Sequence, residues 1–255
     1  MDQATSGAKA RGLTDRQLKV IGLTLLAASM VGTAVVQKGM PADLAQVGVG
    51  RLSAAILLEA ASWAAIPIYA WFVCQGFSRT RSVGLYALRL AALAAVSEVP
   101  YDLATSGRAW DMSSQNPVWA LLAALAVLAM GAGAGRFQAT SRLARGALWA
   151  VLGVAGALWL LLFNVGLRLG LMPTGLLVLA FALVFRLLAE RRNTMMFTGA
   201  AIGVLGGITP AAGLVVLHFG NGRQGLGHNW EKYLFYFLYP LFLVAAGLYR
   251  VLGGR

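Results

Sequence analysis

The chain has 255 residues, of which 59% are hydrophobic and only 12% are charged. Soluble domains usually carry about twice that charged fraction, roughly 25%. A soluble core of this length cannot absorb so much apolar surface, so lipid must be the solvent for most of the chain. The net charge of +12 reads as cytoplasmic loop charge and not as a nucleic-acid surface, because no basic stripe carries interleaved exposed aromatics. The single cysteine, Cys74, excludes an internal disulfide and a cysteine-based zinc site. Neither a metal nor a nucleic-acid partner is expected.

Residues 1–17 are polar and basic and are expected to be cytoplasmic. The stretch after them is apolar and reads as a signal anchor that is not cleaved. Residues 18–255 then form a single transmembrane helical domain. About 20 apolar residues cross the hydrocarbon, and eight segments approach that length: 18–37, 53–74, 83–99, 117–135, 144–163, 170–189, 196–217 and 233–252. The expected fold class is all-α, a polytopic integral membrane helix bundle of about eight transmembrane helices. With the N-terminus inside, the inner segments hold 14 of the 21 Lys and Arg residues and the outer segments 6. That asymmetry predicts both termini in the cytoplasm.

Helix two carries Glu59 about two turns below the outer surface, with Ser62 and Trp63 on the same face. An ionisable residue at such a depth costs about 2.5–3.5 kcal/mol on insertion scales and so marks a function. Pro67 in helix two and Pro240 in helix eight free the carbonyls of Trp63 and Tyr236, which predicts kinks. Helix three holds Arg89 and ends at the outer side in Ser97-Glu98-Val99-Pro100-Tyr101-Asp102. Arg89 lies on the opposite face from Glu98, so the two are not expected to pair. Gln115-Asn116 precede helix four. On helix seven, Gly199, Gly203 and Gly207 are spaced for the close approach of another backbone, a packing role. His218, Asn221, Arg223 and His228 fill the loop before helix eight. On this topology Glu59, Glu98, Asp102, Asn116, both histidines and Arg223 are placed to converge on one outer-facing cavity.

Several of these segments fit a pattern that runs across most of the chain. Ile66-Pro67-Ile68-Tyr69 is followed by Gly76-Phe77-Ser78-Arg79-Thr80, Arg89-Leu90 and the Ser97–Asp102 block. Gln115-Asn116, then Asn221-Gly222-Arg223-Gln224-Gly225, then Phe235-Tyr236-Phe237-Leu238-Tyr239-Pro240 complete it. In order and spacing the chain resembles the TraX family of membrane proteins, associated with conjugation and N-terminal acetylation of pilin and grouped with multi-helix acyltransferases. The chain also departs from that pattern. Family members carry an Asp-His pair after a Met near the end of helix one, where this chain has Val31, Gly32, Thr33 and Ala34 after Met30. The family histidine after the Tyr-Pro of helix eight is replaced by Leu241-Phe242, and the Asp-Tyr-Gly near the start of helix six is absent from Gly170–Pro173.

The resemblance implies a multi-pass protein of the bacterial cytoplasmic membrane that transfers an acetyl or other acyl group from CoA to an envelope or pilus component. Acyl transfer needs a base for the proton of the attacking amine or hydroxyl, usually histidine. With the family histidines replaced, Glu98, Asp102, His218 and His228 are the candidates for proton transfer. Glu59, Gln115, Asn116, Asn221, Arg223, Tyr236 and Tyr239 are the candidates for binding the acceptor. Arg79 and Arg81, at the cytoplasmic mouth, are the candidates for the phosphates of acetyl-CoA or another acyl-CoA. The competing reading is a catalytically inactive member that acts as a membrane partner or assembly subunit. Transport is the weakest reading, because no repeat relates the two halves of the chain.

Overall fold

The computed structural model describes residues 12–38, 40, 44–137, 141–168, 172–225 and 231–252. Its first helix, α1 (Asp15–Val31), opens on a capping box in which Thr14 Oγ1 accepts from Gln17 N and the Gln17 side chain accepts from Thr14 N at 2.9 Å. It runs on into a π-helical turn, Gly32–Val36. The next span is broken in two, α2 (Val49–Trp63) and α3 (Ala65–Arg79). Pro67, in the first turn of α3, has no N–H to offer the Trp63 carbonyl, so the kink expected at Pro67 becomes a break one turn earlier, at Ala64.

Helix α4 (Val83–Thr105) continues through Pro100, beyond the end expected near residue 99. The extension is what places Ser97, Glu98, Tyr101 and Asp102 on one buried stripe of a single helix. Then come α5 (Val118–Phe137) and α6 (Arg142–Leu162). A short antiparallel pair, β1 (Leu167–Arg168) with β2 (Met172–Pro173), leads into α7 (Thr174–Leu187). The chain ends in α8 (Arg192–Leu205), α9 (Ile208–His218) and α10 (Glu231–Leu252).

The main core lies between α3, α5 and α7. Phe181 and Phe185 are fully buried there, and Trp71 meets Phe185 edge-on at 5.5 Å. A smaller cluster of Met30, Ala34, Tyr101, Ala104, Leu243 and Ala246 joins α1, α4 and α10. Outside these cores the surface is apolar: Leu85, Leu88 and Val96 on α4, and Val151, Val154, Leu158 and Leu162 on α6, are all exposed. Patches of this kind are foreign to a soluble monomer. Four helical stretches, Asp15–Val36, Val49–Arg79, Val83–Thr105 and Arg142–Leu162, are long and apolar enough to cross a membrane, and shorter apolar helices pack among them.

Residues 196–217, read from the sequence as one span, are instead two helices folded back on each other. Gly203 faces the Ala211 backbone and Gly199 faces Leu214, and Arg192 Nη2 donates to the His218 carbonyl at 3.1 Å across the open end of the hairpin. The turn is Gly206-Gly207, with Gly207 at a φ of 109° that a side chain would resist. The glycine stripe therefore does serve close backbone packing, but its partner is the second half of the same segment.

This hairpin also overturns the placement of the chain ends on one side. Leu13 N donates to the Phe219 carbonyl at 2.7 Å, so the first described residues sit at the open end of the hairpin, beside Arg79. Arg250 Nη1 donates to the Ala104 carbonyl at 3.1 Å, so α10 ends beside the far end of α4. The two described ends of the chain thus lie at opposite ends of the bundle. The basic-residue count is blind to the difference. Arg223 and Lys232 move to the N-terminal side and the end carrying Arg250 leaves it, an exchange of basic residues that barely alters the asymmetry.

Candidate functional site

Two chains of buried polar side chains meet at the end of the bundle away from Arg79. The first joins α1 to α2. Ser29 Oγ donates to Glu59 Oε2 at 2.9 Å, Thr33 Oγ1 donates to the Ser29 carbonyl at 2.9 Å, and Ser62 Oγ donates to the Glu59 carbonyl at 2.7 Å. Glu59 is only 2% exposed. It sits there because Ala55, Glu59 and Ser62 share the buried face of α2, and Ser29 and Thr33 the facing stripe of α1.

The second chain joins α4, α5 and α10. Glu98 accepts from the Asn116 backbone N–H at 3.3 Å and from Trp119 Nε1 at 2.7 Å, so both carboxylate oxygens are held. Asn116 caps α5, its Oδ1 accepting from Val118 N at 3.0 Å and from the Tyr239 hydroxyl at 2.8 Å. A carboxylate at the start of a helix is stabilised by the exposed N–H groups and the positive end of the helix dipole. That is how Glu98 is tolerated so deep.

Asp102, one turn beyond Glu98, accepts from the Asp111 backbone N–H at 2.9 Å and orders the loop over the site. In that loop Asp111 accepts from Ser113 N at 3.0 Å, and this bond holds the Asp111 carboxyl below the usual carboxylate range. Among the described residues, Ser97 Oγ, Asp102 Oδ1 and Asn116 Nδ2 are buried with no hydrogen-bond partner. An unmet buried polar group costs about 1–3 kcal/mol, and three of them in neighbouring turns mark a place shaped for something polar.

Between the two chains lies a cavity of about 70 Å³, lined by Ser29, Thr33, Glu59, Tyr101, Pro117 and Tyr239 among others. That is room enough for water, for which about 10–15 Å³ suffices on this measure. Glu59 and Tyr239 face it directly. Glu98 and Asn116 stand just behind Pro117 and the Tyr239 hydroxyl.

The other candidates are elsewhere. Gln115 is a strap, its N–H donating to the Asn164 carbonyl at 3.1 Å and its carbonyl accepting from Gly166 N at 2.8 Å. Tyr236 packs on the main core, with Tyr86 and Arg89 as neighbours. The expected outer convergence of His218, Asn221 and Arg223 does not occur. All three sit at the N-terminal end, because the hairpin returns the chain there. Asn221 N donates to the Leu13 carbonyl at 2.8 Å and Asn221 Nδ2 to the Gly12 carbonyl at 3.2 Å, while Asp15 N donates to the Arg223 carbonyl at 2.8 Å. The Asn-Gly-x-x-Gly motif is thus a clasp for the N-terminal segment. His228 lies outside the described residues. Arg79 Nη1 meets Asp15 Oδ2 at 3.4 Å, and Arg81 is exposed beside it.

Sequence reasoning passed over Ser29, Thr33, Trp119 and Asp15. For the first two there was a signal, hydroxyls one turn apart at the end of an apolar helix. Trp119 gave none, since its indole N–H acts only through the fold.

A family model described as "TraX protein" matches residues 15–250, nearly the whole chain. The chain belongs to the TraX family. No curated protein and no solved structure matches it. TraX membership and the apolar helices together make it a helical membrane protein. Of the positions where the resemblance leads one to expect the family's Asp-His pair and histidine, Thr33 lines the cavity from α1, whereas Leu241 and Phe242 of α10 do not line it.

Proposed function

We propose that this TraX-family chain is an acyltransferase of the bacterial cytoplasmic membrane, moving an acetyl or other acyl group from CoA to an amine or hydroxyl of an envelope or pilus component. The observation that carries the reading is the meeting of the Ser29–Glu59 and Glu98–Asn116–Tyr239 chains at one cavity. In the step itself the acceptor nitrogen or oxygen attacks the thioester carbonyl carbon. The new bond forms, the C–S bond breaks, and the acceptor proton passes through a base to the departing CoA thiolate.

Glu59 is the carboxylate in contact with the cavity, so it takes that proton. Glu98 has both oxygens engaged and serves by holding Asn116 and Trp119 in place. Asp102 orders the covering loop. Arg79 and Arg81 receive the phosphates of the donor at the cytoplasmic end. Glu98 is 15 residues along α4 from Val83, roughly 22 Å at about 1.5 Å per residue, a depth the extended arm of the donor has to span.

Binding of acetyl-CoA to the purified protein, read as thermal stabilisation with free CoA as the control, tests the donor assignment. A rise in Tm that shrinks in Arg81→Gln is the expected result. Arg81 is the better probe, because Arg79 is also an ion-pair partner of Asp15. No shift in a folded protein contradicts the assignment.

With Arg79 and Arg81 assigned to the cytoplasmic side, the start of α1 faces the cytoplasm and the end of α10 the outside. On intact cells a membrane-impermeant thiol reagent is expected to label Leu252→Cys and to spare Arg223→Cys. Equal labelling of the two contradicts that topology. A second reading, a non-catalytic membrane partner, is favoured by the departures from the family pattern after Met30 (Val31 to Ala34) and after Tyr239-Pro240 (Leu241-Phe242). A stoichiometric membrane protein co-purifying with an enzymatically silent chain would support it.

A further inference from the structure

We propose that the outer face of α4 beside α10, at the end of the bundle that carries Arg79, binds an anionic phospholipid, with Arg89 holding the headgroup phosphate. The proposal does not depend on the acyltransferase reading. The exposed stripe of α4 runs through Leu85, Leu88, Arg89, Ala92, Val96 and Val99, at the spacing of one helix face. All of these but Arg89 are apolar, as a surface turned to lipid requires. The guanidinium of Arg89 stays charged at any pH the protein meets. Among the described residues it makes no hydrogen bond and no ion pair. A permanent charge is thus set into a lipid-facing stripe, and its partner has to come from the membrane side.

Depth and direction fit a phosphate. Arg89 is six residues beyond Val83, where α4 starts, roughly 9 Å at about 1.5 Å per residue. Side chains on a helix lean toward its N-terminus, so a long arginine here reaches back to the headgroup level and leaves its apolar stem in the hydrocarbon. Tyr86, one turn nearer that level, and Tyr236 of α10 are electrostatic neighbours of each other, and Arg89 bears on Tyr236. Phenol rings of this kind settle at the membrane interface. Past Arg89 the stripe continues apolar, and α10, packed along α4, exposes Phe237 and Leu241. That surface suits an acyl chain. Charge then selects the lipid. From Gly76 to Ser97 the chain carries Arg79, Arg81 and Arg89 and no carboxylate. Arg79 is met by Asp15, which leaves Arg81 and Arg89 uncompensated. A headgroup without an ammonium answers that excess better than a zwitterionic one, and a guanidinium takes two phosphate oxygens side by side.

The test titrates the full-length protein in detergent with dioleoyl-phosphatidylglycerol and, separately, with dioleoyl-phosphatidylcholine, and counts bound lipid by native mass spectrometry. The wild type is expected to hold phosphatidylglycerol about tenfold more tightly than phosphatidylcholine, the worth of one charge-assisted bond. Arg89→Leu extends an apolar stripe and so keeps the fold, with a Tm no lower than that of the wild type. It is expected to lose the preference. Arg89→Lys keeps the charge without the paired donors and is expected to fall between the two. Equal affinity of the wild type for both lipids, or an undiminished preference in Arg89→Leu, overturns the proposal and leaves Arg89 reaching only to water. Displacement of phosphatidylglycerol by millimolar inorganic phosphate also overturns it, by assigning Arg89 to a free anion.

Discussion

Glu59→Gln is expected to abolish acyl transfer while leaving the fold intact. Glutamine has the same shape, and its carbonyl still accepts from Ser29 Oγ, which lies 2.9 Å from the carboxylate now. What it cannot do is take a proton. Loss of a positioned base costs about 10²–10⁴-fold in rate, so thiol release should fall by that much. Thermal melting should change little, because the Ser29 bond and the packing of Ala55 and Ser62 on the same face persist. Turnover near the wild-type rate in Glu59→Gln would remove Glu59 from the chemistry and return the role to Asp102, whose Oδ1 is unmet among the described residues.

The largest loss of stability is expected from Gly213→Ala. Helix α9 crosses the break between α2 and α3 so closely that a Cβ on Gly213 would overlap the Ala64 carbonyl oxygen, and it would come within 2.8 Å of Pro67 Cγ. The obstruction is backbone on one side and a proline ring on the other, so no rotamer change relieves it. Overpacking of a well-filled interior costs about 1–3 kcal/mol, occasionally more, and this contact belongs at or above the upper end. Gly146→Ala is the matched control. It lies in α6 with nothing within 4 Å of the added carbon, and helix propensity alone then gains up to about 1 kcal/mol. Unfolding midpoints in detergent should fall sharply for the first variant and hold or rise for the second. A Gly213→Ala protein as stable as the wild type would mean that α9 does not pack on the Ala64 break.

The parts of the site legible in the sequence were those with a cost. A carboxylate within an apolar helix has to be there for a reason, and that argument alone singled out Glu59 and Glu98. The Ser97–Asp102 block and Asn116 were legible as polar residues at the ends of apolar segments and as parts of the TraX-like pattern, while the helix stripe and the helix cap they form came from the fold. Misread was the tertiary path of the last third of the chain. Gly206-Gly207 lies inside an uninterrupted apolar run, so hydropathy sees one span where the chain makes two short helices. Charge counting offered no correction, since basic residues are exchanged for other basic residues and the asymmetry barely changes. One misplaced turn then carried His218, Asn221 and Arg223 to the wrong end. Tyr239 shows the opposite case, in that its place in the family pattern marked it, and only the fold revealed that its hydroxyl holds the Asn116 amide.

Thiol release from acetyl-CoA by the wild-type protein in liposomes, with an amine-terminated peptide and a hydroxyl-bearing glycan as alternative acceptors, tests the central claim most directly. The account predicts thiol release that one of the two acceptors accelerates, with the acyl group recovered on that acceptor. Thiol release no faster than from empty liposomes, by protein that melts cooperatively, would contradict it and leave the TraX scaffold in this chain as a membrane partner without chemistry of its own.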